Sequence, residues 1–72
     1  MILIKLLRLL RGMSQFELSL ETQIPSYRLS VLENAKAVPR EEELERLAKA
    51  LGTTPEFLRK EISEEALVRE AV

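Results

Sequence analysis

Neither cysteine nor histidine occurs anywhere in the chain. Their absence removes disulfides, zinc sites built on thiolate or imidazole, thiol nucleophiles and imidazole general bases. Aspartate is missing too, so every acidic residue is Glu. Glycine occurs only as Gly12 and Gly52, and two glycines so far apart cannot form a phosphate-cradling loop. Long hydrophobic runs are also lacking. Lys5 and Arg8 interrupt the apolar stretch Met1 to Leu10, no small-residue cleavage site follows it, and nothing approaches a bilayer span. With these materials the expectation is a cytoplasmic binding module. It is not an enzyme, has no cofactor or metal, and makes no use of a membrane.

What remains is 72 residues, enough for one domain. A chain of this size buries roughly 60% of its unfolded surface, so its core is small and gains from a partner chain. The net charge of −1 conceals an asymmetry. Residues 1–40 carry six basic and three acidic side chains, whereas residues 41–72 carry five and nine. A basic half can attract phosphate locally while the total stays near neutral.

Leu, Glu, Ala, Lys and Arg dominate, and the apolar period is helical throughout. A first helix runs from about Ile2 to Arg11 and stops at Gly12. Ser14 opens a second, with Glu17 at capping-box spacing, which ends near Thr22. Pro25 suits the first turn of a third helix reaching about Asn34. Leu29 and Leu32 form its inward stripe, and Ile24 plugs the turn below. A loop from Ala35 to Pro39 leads to a fourth helix, about Arg40 to Leu51, burying Leu44, Leu47, Ala48 and Leu51. Glu41, Glu42 and Glu43 form a solvated helix start favoured by the dipole. Gly52 ends that helix, and Thr54 and Pro55 begin a fifth with Phe57, Leu58 and Ile62 inward. Its pattern extends towards Val72, with a break near Ser63. The expected fold is all-α, a compact five-helix bundle without strands, with or without an extended C-terminal helix.

The two short helices of Ser14 to Asn34 have the spacing of a helix-turn-helix, whose second helix enters the major groove. Ser14-Gln15-Phe16-Glu17-Leu18 resembles the opening of the second helix in the phage-repressor and Cro family, also called the xenobiotic-response-element family. Ile4-Lys5-Leu6-Leu7-Arg8 resembles its first-helix signature, and Leu32-Glu33-Asn34 the end of its recognition helix. Leu47-Ala48-Lys49-Ala50-Leu51-Gly52-Thr53-Thr54 resembles its fourth-helix exit. The resemblance covers Ile4 to Leu58 without a gap. It implies a lambda-repressor-like DNA-binding domain over 1–58, with 59–72 as a helical extension that dimerises or covers the core. The chain departs from the family at Thr22, where a large apolar residue is usual, and at Gln23 and Ala35, where glycine is usual. Gln23 and Ala35 fall where positive φ is often needed, and Asn34 is an alternative carrier of the left-handed conformation beside Ala35.

With Leu29 and Leu32 inward, Tyr27, Ser30, Val31 and Asn34 point outward, and Ser26 lies at the open end of the third helix. The resemblance implies base reading by Ser26, Tyr27, Ser30 and Val31. Serine bonds several base edges, and valine packs on a thymine methyl. Arg28, the only cation of this helix, has the reach for phosphate or guanine. Further phosphate contacts are expected from Gln15, as the family implies, and from Asn34, Lys36 and Arg40 flanking the helix. Arg8 shares a side with Ile4 and Leu7, and the resemblance implies a buried structural ion pair with Glu33.

The first helix carries more apolar surface than one core needs. Leu3, Leu6 and Leu10 form a second stripe, widened by Ile2 and Leu9, while Phe16 and Leu20 lie opposite Leu18. Contiguous patches of this kind mark interfaces. Leu3, Leu6, Leu10, Ile62 and Leu67 are therefore expected at a homodimer interface, the C-terminal segment covering the patch in cis or in trans. The functional expectation is a sequence-specific regulator bound to double-stranded DNA, a repressor in particular. The alternatives are the antitoxin of a toxin–antitoxin pair, with a toxin as protein partner, and an interaction module that has lost DNA binding.

Overall fold

The computed structural model describes residues 2–61; the expectations placed on Ile62, Leu67 and the pattern towards Val72 lie outside them. Helix α1 spans Ile2–Leu10, α2 Gln15–Thr22, α3 Ser26–Glu33 and α4 Glu41–Leu51. A fifth helix, α5, begins at 55 and is helical through 61. No strand occurs among the described residues.

Helices of eight or nine residues are too short to persist alone, so caps and packing hold them. Ser14 caps α2: its Oγ accepts the Glu17 amide at 3.0 Å, and the Glu17 carboxylate accepts the Ser14 amide at 3.1 Å. The Ser14 amide, and after it the Ser14 hydroxyl, hold the Glu17 carboxyl below its ordinary pKa. Thr54 caps α5 through the Phe57 amide. At the other end of α1, the Met13 amide reaches back to the Arg8 carbonyl and that of Gly12 to Leu9. This pattern requires a left-handed residue at Gly12, whose φ is +67°.

The same motif closes α3 with alanine in the glycine position. Lys36 N–H donates to Val31 O and Ala35 N–H to Leu32 O, and Ala35 takes φ +56°. Asn34 stays at φ −92° and does not relieve it. The bond register fixes which residue must be left-handed, and side-chain preference cannot move that site by one. Gln23, at φ +60°, closes α2 in the same conformation.

Helices α1 and α2 each pack on both α3 and α4. The core between them comprises Ile4, Leu18, Ile24, Leu29, Leu32, Leu44, Leu47, Ala48, Ala50, Leu51 and Leu58. A fully buried Leu or Ile contributes roughly 1.5–3 kcal/mol. Thr22 belongs to this interior, yet it is satisfied: its Oγ1 donates to Leu18 O at 2.7 Å and accepts from Ile24 N. Ser19 Oγ donates to Ile24 O at 2.6 Å. The two hydroxyls pin the turn between α2 and α3, offsetting the apolar volume that threonine gives up.

Leu6, Leu9 and Leu10 on α1 are exposed, as are Phe16 and Leu20 on α2. Leu3, expected on the outer stripe, is instead half-buried and packs against the core.

Candidate nucleic-acid interface

Helix α3 buries Leu29 and Leu32 and turns its other side outward. Tyr27 is 76% exposed, and Ser26, Ser30 and Val31 are half-buried at its sides. Asn34 folds back along the helix, its Nδ2 donating to Ser30 O at 2.8 Å and lying 3.5 Å from Ser30 Oγ. The outward groups are thus hydroxyls, a phenol and a branched methyl pair, with no full charge among them.

Two ion pairs fix this helix from opposite sides. At its C-terminal end the buried Glu33 carboxylate accepts Arg8 Nε at 2.9 Å and Arg8 Nη2 at 3.2 Å. Arg8 Nη1 also donates to Met13 O at 2.9 Å, bridging α1, its following turn and α3. Arg8 and Glu33 are only 8% and 6% exposed. Their donors and acceptors are matched bidentately, the arrangement that makes such a pair tolerable in a low-dielectric interior.

On the other side Arg28 does not stand free towards solvent. Its Nε and Nη2 each donate to Glu43 at 2.9 Å, and Nη2 lies 3.4 Å from Val38 O. Glu43 also accepts the Arg40 backbone amide at 2.8 Å. The Arg28 guanidinium holds the Glu43 carboxyl below its ordinary pKa, and Glu43 in turn raises that of Arg28. Sequence reasoning missed Glu43, taking it with Glu41 and Glu42 as a solvated helix start. A signal was present, because Glu43 lies one turn before the buried Leu47 and so on the inward face. Glu41, by contrast, is exposed and pairs with Arg59 of α5.

The expected phosphate contacts separate accordingly. Gln15 is the first residue of α2, half-buried beside the Ser14 cap, where the helix N-terminus favours an anion. Lys36 and Arg40 are exposed in the segment joining α3 to α4. Arg28 is drawn away by Glu43, and Asn34 is engaged by Ser30. No described helix is long and apolar enough to cross a membrane.

Two short helices around a pinned turn, the second with an open outer face, define a helix-turn-helix DNA-binding domain. The family model described as helix-turn-helix matches residues 4–58, and the chain belongs to this family, of Cro and C1 type. It is a family of DNA-binding regulators and not of enzymes. No curated protein and no solved structure matches the chain.

Proposed function

We propose that this chain is a sequence-specific transcriptional repressor that sets α3 in the major groove of double-stranded DNA. The observation that carries the proposal is the contrast between the two sides of α3. Its inner side is locked by Leu29, Leu32 and Glu33, while Tyr27 at its head stands open. Ser26, Tyr27, Ser30 and Val31 read base edges; Gln15, Lys36 and Arg40 bind phosphate. In this reading the domain acts by occupying a promoter. Selection of bound sequences from a random DNA pool tests the reading. The parent should enrich one motif, and Tyr27→Ala or Val31→Ala should shift it, since a good base contact contributes about 1–3 kcal/mol. A pool that shows no enrichment overturns the proposal.

The repressor works as a homodimer in this reading. Leu6, Leu9 and Leu10 expose half or more of their surface, and a second copy covers them while leaving α3 free. The two recognition helices then stand about 34 Å apart, one turn of DNA. Sedimentation equilibrium should give a two-chain mass for the parent and a one-chain mass for Leu6→Glu/Leu10→Glu. A one-chain parent at high micromolar concentration refutes the dimer.

A further inference from the structure

The reading helix contains one cation, and the structure turns it away from the outer face. Arg28 spends two of its guanidinium nitrogens on both oxygens of Glu43, whose side chain is only 9% exposed. The same carboxylate holds the first turn of α4 through the Arg40 amide, and Arg28 reaches the Val38 carbonyl in the segment between the two helices. A bidentate arginine–carboxylate pair is the strong form of this interaction, because it fixes orientation as well as distance. Its consequence for binding is electrostatic. A cation on α3 free to reach phosphate would add affinity for every DNA sequence alike, since phosphate contacts carry no sequence information.

We propose that Glu43 is a specificity-determining residue: it withholds the Arg28 charge from DNA, so that α3 meets the groove with the neutral set Ser26, Tyr27, Ser30 and Val31. The inference rests on the DNA-binding reading above and adds to it a residue that touches no DNA itself. Glu43 acts through Arg28 and is a positioning residue. The loop cations Lys36 and Arg40 then supply the sequence-independent attraction from the edge of the interface, and discrimination is left to contacts that differ between bases.

The test is Glu43→Gln, which keeps the shape of the side chain and an acceptor for the Arg40 amide but releases Arg28. Binding to a random-sequence duplex and to the selected site is measured between 50 and 300 mM salt, with helicity followed by circular dichroism. The expected result is a salt slope steeper by about 0.9, the value of one added phosphate contact, with random-sequence affinity up roughly five- to tenfold at 0.1 M salt. Preference for the selected site should fall by a similar factor. The double variant Arg28→Gln/Glu43→Gln should return the slope to that of the parent, which separates release of Arg28 from mere loss of a negative charge. An unchanged or shallower slope in Glu43→Gln overturns the proposal. So does a steep slope that survives in the double variant, and so does a Glu43→Gln chain that fails to fold, because the pair is then structural alone. A parent with no salt-dependent binding to any duplex defeats the DNA-binding reading itself, a different outcome from all of these.

Discussion

Arg8→Ala strands a carboxylate in the interior. The substitution removes both bonds to Glu33 and the bond to the Met13 carbonyl. It leaves Glu33, 6% exposed, with no counter-charge from α1. Losing one partner of a buried pair costs about 3–5 kcal/mol, mostly the penalty of the uncompensated charge that remains. A domain of 72 residues has roughly 4–11 kcal/mol of total stability, so the loss takes a large share. With about 4–8 °C of melting temperature per kcal/mol at this size, the midpoint should fall by ~12 °C or more. Thermal melting followed by far-UV circular dichroism reads it directly. The double variant Arg8→Met/Glu33→Leu should recover much of the loss, because it replaces the pair with apolar volume and strands nothing. An Arg8→Ala midpoint within 3 °C of the parent would refute the view that this pair holds α1 to α3. So would a double variant whose loss equals the sum of the two single losses, for residues in contact should couple.

Ala35→Gly should raise stability by roughly 0.5–1 kcal/mol, because glycine takes the left-handed conformation without a Cβ penalty and loses only part of the gain to chain entropy; chemical denaturation measures it, and a fall would contradict the strain. Gly52→Ala should cost more than Gly12→Ala, since both positions have positive φ but only at Gly52 would a Cβ meet Arg11 Nη1, at 2.7 Å; equal losses would show that Arg11 swings aside freely. The Glu43 carboxyl is lowered from 4.5 by Arg28, so its contribution is fully present above that value and is lost as pH falls through the depressed folded pKa. Melting temperatures from pH 7 to pH 3 should fall on the acid side in the parent and fall less in Glu43→Gln. Lys36→Ala should weaken binding to all duplexes and flatten the salt slope by about one unit, without changing the selected motif.

The elements were legible wherever a local signal fixes them. The capping pair Ser14 and Glu17, the glycines at 12 and 52, and the apolar faces of α3 and α4 each act within one turn, and a sequence displays one turn whole. The left-handed residues at Gln23 and Ala35 were foreseeable from their place in the motif, although Ala35, and not Asn34, carries the strain after α3. What the sequence hid was the partner of Arg28. Glu43 lies 15 positions away across a loop, and no periodicity links residues on two helices whose crossing is unknown. Thr22 departs from the usual large apolar residue for a related reason: its hydroxyl donates within α2 to Leu18 O, but it pins the turn only once Ile24 N comes within reach.

The two ion pairs together explain how so weak a helix can present a rigid reading face. Helix α3 has eight residues, no side-chain bond at its N-cap Pro25 and no cation in its last turn, so little within it favours helix in isolation. Its order is imposed from outside. Leu29 and Leu32 hold its underside, Arg8 grips Glu33 at one end, and Glu43 grips Arg28 near the other. Each clamp joins α3 to a different neighbour, α1 in one case and α4 in the other, so the helix can neither roll nor slide without breaking a bidentate pair. Rigidity of this kind matters most when the reading groups are short. A serine hydroxyl or a valine methyl cannot follow a base that sits an ångström away, as a long glutamine or arginine can. In the proposed reading, discrimination by Ser26, Ser30 and Val31 therefore depends on the backbone beneath them being held still, and the charged residues of this helix are spent on holding it.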